Sequence, residues 1–118
     1  MAYVDGYIVA VPTANKEPYV EHAKAAIPLF KEYGALSATE CWGDDVPSGE
    51  NTSLPMAVRL KEDETVVFSW MVWPSKEARN KGLGEMMNDP RLQPGEAAPP
   101  PFDGGRMIFG GFEVIVDE

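Results

Sequence analysis

The stretch Thr65-Val66-Val67-Phe68-Ser69-Trp70-Met71-Val72-Trp73 decides how this chain folds. β-branched and aromatic residues dominate it, which favours an extended strand. Side chains of a strand alternate between faces, so Val67, Met71 and Trp73 share one face and Val66, Phe68, Trp70 and Val72 the other. Both faces are apolar, and such a strand needs cover on two sides. The segment from Arg106 to Val116 repeats the pattern, with Met107, Phe109 and Ile115 opposed to Ile108, Phe112, Val114 and Val116. Two strands of this kind place a sheet at the centre of the fold.

Working upstream, Tyr3 to Val11 is rich in β-formers and ends at Pro12, which lacks a backbone donor. From Asn15 to Tyr33 the residues Tyr19, Val20, Ala23, Ile27 and Phe30 recur at helical spacing, and Gly34 supplies a stop. Pro28 inside that segment predicts a kink or a break into two pieces. Leu36 to Val46 and Leu54 to Lys61 read as two further strands. With Glu62-Asp63-Glu64 as a short connection to Thr65, they predict a three-stranded meander. Downstream, Ser75 is a predicted N-cap for a helix over Lys76 to Met87 that buries Ala78, Leu83, Met86 and Met87. Gly82 and Gly84 weaken it by ~1 kcal/mol each. The segment from Arg91 to Gly105, with Pro94 and Pro99-Pro100-Pro101, carries too many breakers for regular structure and reads as a long loop or arm.

The predicted order is β, α, β, β, β, α, β in a single domain over residues 1–118. The fold class that fits is α+β: a ferredoxin-like antiparallel sheet with two helices on one face. Two helices leave the second apolar face uncovered. A twofold homodimer with its sheets face to face, a dimeric α+β barrel, would bury that face. The alternative is a monomer in which the proline-rich arm folds over it.

A chain of 118 residues with 44% hydrophobic and 25% charged residues has the composition of an ordinary globular domain. Its formal charge of -9 repels phosphate backbones and anionic lipid, which argues against nucleic-acid and membrane-surface partners. No apolar run approaches the ~20 residues of a membrane span. The first residues lack the basic and apolar regions of a secretory signal, so the expected location is the cytoplasm. Cys41 is the single cysteine, which excludes an internal disulfide, and His22 is the single histidine, which argues against a zinc site. Neither the Gly82-Leu83-Gly84 nor the Gly110-Gly111 stretch fits a dinucleotide fingerprint. No cofactor is expected.

Several stretches together resemble the YbaA-like family of bacterial proteins. They are Tyr3-Val4-Asp5-Gly6-Tyr7, Pro28 to Leu36, Glu40-Cys41-Trp42 with Asp45-Val46-Pro47, Val66 to Trp70 with Pro74-Ser75-Lys76-Glu77, and Arg106 to Glu113. The resemblance implies the dimeric α+β barrel fold but brings no assigned active residues with it. Proteins that share that fold run many chemistries, so the fold alone selects none.

Asp5, Glu40 and Glu113 interrupt apolar strands, and a carboxylate so placed needs compensation. If the closing strand lies antiparallel to the first, Glu113 falls near Asp5, and two close carboxylates raise at least one pKa toward that of a general base. The structural alternative is that Arg59 or Arg106 pairs with them, or that they reach water at the sheet ends; Arg59 and Arg106 are also candidates to bind a ligand. Trp42 and Trp70 are candidate apolar walls for a ligand. Cys41 is a candidate nucleophile if His22 lies beside it as a base. These residues predict a pocket where carboxylate acid–base chemistry acts on a small organic molecule. The other readings are a non-catalytic ligand-binding or sensing module and a protein whose role is interaction alone.

Overall fold

The computed structural model describes residues 2–92 and 99–118. The strands are β1 (Tyr3–Pro12), β2 (Ser37–Trp42), β3 (Glu64–Trp73) and β4 (Ile108–Glu113), and the helices are α1 (Lys16–Glu32), α2 (Leu54–Ala57) and α3 (Lys76–Met86). The strands form one antiparallel sheet in the order β2-β3-β1-β4. The architecture is therefore α+β, as expected.

The register fixes the faces. Tyr3, Asp5, Tyr7, Val9 and Val11 of β1 share a face with Val67, Ser69, Met71 and Trp73 of β3 and with Ala38, Glu40 and Trp42 of β2. Tyr19 and Phe30 of α1 and Leu83 of α3 pack on this face, against two clusters that centre on Val9, Val11 and Val67 and on Ala35, Met71 and Trp73. On the opposite face Phe68, Ile108 and Phe112 remain exposed. Val58 and Leu60, which follow α2, cover one end of that face around Ala10 and Val66, and the rest of it stays open. The described part of the arm does not supply the rest, since Phe102 and Met107 pack on the helix-covered face; residues 93–98, including Pro94, lie outside the described residues.

The helix ends follow the sequence closely. Gly34 takes a φ of 113°, and the amides of Gly34 and Ala35 donate to the carbonyls of Lys31 and Phe30 at 3.1 Å each. This reversed pairing closes α1 in the manner that glycine favours. At the start of α3, Ser75 Oγ accepts from the Ala78 amide at 3.1 Å. Gly82 is required by close packing, because a Cβ there would run into the Tyr33 carbonyl oxygen and stand 2.8 Å from the Trp73 ring.

Four expectations need correction. Leu54 to Lys61 is no strand. Ser53 Oγ caps the Met56 amide at 3.1 Å, Pro55 sits in the first turn, and the short helix α2 forms instead. The meander is consequently a hairpin of β2 and β3 with a long excursion between them. Of the two outcomes expected at Pro28, the break into two pieces does not occur, and α1 runs through it as one helix. Met87 is not buried; it is 79% exposed at the end of α3. The closing strand stops at Glu113, and Ile115 and Val116 are exposed beyond it.

Candidate functional site

The residues paired across the middle of the helix-covered face form a transverse row. Glu40 of β2 lies opposite Ser69 of β3, Ser69 opposite Tyr7 of β1, and Tyr7 opposite Phe109 of β4. Three polar side chains therefore stand side by side on a surface whose neighbouring row is apolar, with Trp42, Val67 and Val9. The α1 side chains Tyr19 and His22 descend onto the row. Tyr19 is set by its packing on Val9, Val11 and Val67, and its hydroxyl donates to Glu40 Oε1 at 2.6 Å. Above the row, between α1 and the sheet, lies a cavity of about 200 Å³. Tyr7, Tyr19, His22, Glu40 and Ser69 supply its polar wall, and Phe30, Met71, Phe102 and Met107 much of the apolar one.

Partial withdrawal from water raises the Glu40 carboxyl above its ordinary range, although the hydroxyls of Tyr19 and Ser69 and the nearby His22 pull it back. The Tyr7 hydroxyl is pushed up to about 12, first by burial and then by the negative charge of Asp5. Tyr19 is raised further by burial and by its bond to Glu40. At neutral pH the site thus holds two phenols fixed as neutral donors and one carboxylate with increased proton affinity. Such a set can accept a proton from a ligand and hydrogen-bond the charge that develops.

The remaining sequence candidates sit elsewhere. Asp5 is 3% exposed and bound to three donors. Arg79 Nη2 donates to Oδ1 at 2.7 Å, Arg79 Nε to Oδ2 at 3.2 Å, and Trp73 Nε1 to Oδ2 at 3.0 Å. Its partner is Arg79 rather than Arg59 or Arg106. Glu113 is exposed and lies opposite Tyr3, while Asp5 lies opposite Gly111. The two carboxylates share an end of the sheet, but Asp5 is already neutralised. Arg106 binds Glu64 at 2.6 Å and Asp103 at 3.1 Å, and donates to the Arg59 carbonyl at 3.0 Å. Arg59 is exposed, with a φ of 51° after α2.

Cys41 faces the other side of the sheet from Glu40 and His22, because adjacent strand residues alternate, so the expected thiol–imidazole pair does not form. Trp70 is on that side too, edge to face with Phe68 at 5.6 Å. Trp42 stays on the helix-covered face, packed against Val67 and its neighbours, with Lys16 Nζ 5.6 Å from its ring centre. Among the described residues no three His, Cys, Asp or Glu side chains converge in the manner of metal ligands. No helix among them is long and apolar enough to cross a membrane.

Of the candidates, Glu40 and His22 come together, and the site adds Tyr7, Tyr19, Ser69 and Phe102. Ser69 carried a signal, as the single polar residue inside the apolar run from Val66 to Trp73. Tyr7 and Tyr19 read as ordinary strand and helix aromatics. Their convergence depends on register and on the docking of α1.

The chain is similar along its full length to proteins that are themselves uncharacterised. It is 56% identical over 119 aligned residues, covering all of both chains, to the uncharacterized protein YbaA of Escherichia coli K12. The same identity and coverage hold for YbaA of Escherichia coli O157:H7 and of Shigella flexneri. Residues 2–104 match the model of a protein family of unknown function, DUF1428. With most of its length in that match and its whole length in the relatives, the chain belongs to the DUF1428 family.

Proposed function

We propose that this protein binds a small organic molecule in the cavity beneath α1 and uses Glu40 to exchange a proton with it. The observation that carries this reading is the row Glu40–Ser69–Tyr7 beneath a cavity of about 200 Å³, with Tyr19 hydrogen-bonded to the carboxylate. A protein with interaction as its only role has no need of a cavity lined by titratable groups between a helix and its sheet. In this reading Glu40 is the proton acceptor and donor, Tyr7 and His22 hydrogen-bond the reacting group, and Tyr19 and Ser69 position the carboxylate. The non-catalytic reading keeps the same cavity with Glu40 as an anchor, and a comparison of binding with turnover separates the two. Glu40→Gln is expected to retain the fold while losing proton exchange with any molecule that the wild type binds. Unchanged exchange in that variant would remove Glu40 from the chemistry.

A second reading concerns assembly. The element order and strand order support a ferredoxin-like fold, and the open part of the second face, around Phe68, Ile108 and Phe112, supports a homodimer. Gly6, Ile8, Phe68, Ile108, Gly110 and Phe112 line a shallow concavity there that carries no charged side chain. Two copies of charge -9 can meet on such a surface without bringing carboxylates together. Phe112→Asp is expected to convert a dimer to monomers in sedimentation, and a wild type that sediments as a monomer at micromolar concentration would end the dimer reading.

A further inference from the structure

Glu40, an exposed residue whose carboxylate borders the cavity, differs in its partners from the buried and half-buried carboxylates among the described residues. Asp5 is paired with Arg79 at 2.7 Å, Glu64 with Arg106 at 2.6 Å and Asp89 with Arg91 at 2.6 Å. Glu40 instead accepts from the neutral hydroxyl of Tyr19, with the Ser69 side chain opposite it in the sheet. The described residues that line its cavity include no lysine and no arginine. A carboxylate at a cavity wall with no guanidinium or ammonium of the chain beside it is open to a positive charge that a ligand brings, and the apolar wall strengthens that attraction.

The walls around it favour the same kind of ligand. Tyr7, Tyr19, Phe30 and Phe102 turn rings toward the cavity. Tyr19 and Phe102 meet at a centroid separation of 5.7 Å, and Phe102 meets His22 at 5.8 Å. Aromatic faces carry partial negative charge and attract cations, above all those that are already desolvated. The net charge of -9 draws cations toward the protein from solution. An anion would be opposed by all three features. A dry cavity of about 150 Å³ holds a benzene ring, so about 200 Å³ accommodates one ring and a short substituent.

Taking the cavity as the ligand site proposed above, we infer that its ligand is a small organic cation, an amine on a body no larger than one ring, with the ammonium against Glu40 and the ring among the aromatic walls. The test is a titration at pH 8, above the range in which imidazoles usually carry charge, with three molecules of similar size: benzylamine, benzyl alcohol and benzoate. Amide shifts of Glu40 and Ser69 report binding by NMR. Benzylamine is expected to bind at least ~tenfold more tightly than benzyl alcohol, with benzoate not binding. Glu40→Gln is expected to erase that advantage and leave the alcohol unchanged, and Phe102→Ala to weaken the amine by ~tenfold. If amine and alcohol bind equally well and both move the cavity amides, the charge inference falls while the site stands. If none of the three moves those amides, both fall. Should Glu40→Gln fail to fold, the amine-to-alcohol ratio in wild type and in Phe102→Ala still decides.

Discussion

The two halves of the helix-covered face are built differently. Under α3 the face is filled. Trp73 is fully buried, its indole donates to Asp5, Arg79 grips the same carboxylate with two nitrogens, and Gly82 brings the helix backbone against the Trp73 ring. Under α1 the face is hollow, and its carboxylate accepts from the Tyr19 hydroxyl at the wall of a cavity. A charge in the filled half is compensated within the chain, whereas the charge in the hollow half is left to interact with what enters. A carboxylate is thus matched by a charge of the chain in one place and by a neutral hydroxyl in the other, and the presence of an arginine marks which.

The largest expected effect comes from removing that arginine. Arg79→Met leaves Asp5 buried without its counter-charge and is expected to destabilise the fold by ~3–5 kcal/mol in chemical denaturation. A loss below ~1 kcal/mol would mean that the filled half does not depend on its ion pair and would break the contrast. Gly82→Ala is expected to cost ~1–3 kcal/mol, since the added methyl meets the Tyr33 carbonyl and the Trp73 ring. Gly84→Ala is its control on the same helix. No atom lies within 4 Å of the added methyl, and the variant is expected to gain ~0.5–1 kcal/mol from helix propensity alone. Opposite signs for the two glycines would locate the tight packing at position 82.

The smallest effect is a pH dependence with opposite signs at two carboxylates. The Arg106 ion pair lowers Glu64 to about 2, so its contribution is complete above the usual carboxylate range and is lost as pH falls toward about 2. Burial raises Glu40, so its contribution is complete below the usual range and is lost as pH rises through its higher folded value. Glu40→Gln is thus expected to gain stability relative to wild type between pH 4 and pH 7. Glu64→Gln is expected to lose stability over the same interval. Thermal unfolding at the two pH values measures both, and a flat difference for Glu40→Gln would show that its carboxylate is as well solvated as a surface one.

Much of the fold was legible in local sequence, for reasons that the cavity did not share. Gly34 and Ser75 ended and began helices through bonds to residues three to five positions away, and the alternation from Val66 to Trp73 placed the apolar side chains of β3 on the faces that the register shows. Leu54 to Lys61 misled because its apolar content resembled a strand, while the cap Ser53 and the first-turn Pro55 already specified a helix. The carboxylates were legible as residues needing compensation, but their partners were not. Asp5 and Arg79 lie 74 positions apart, and Tyr19 reaches Glu40 only after α1 docks. Cys41 and His22 looked comparable to Glu40 as candidates until register placed the cysteine on the opposite face.

The central position of β1 has a consequence during synthesis. This first strand pairs on one side with β3 and on the other with β4, the last strand of the chain. A ribosome adds ~5–20 residues per second. For the seconds before Ile108–Glu113 emerges, β1 exposes an unpaired edge, and that edge stays open to other chains until the closing strand arrives.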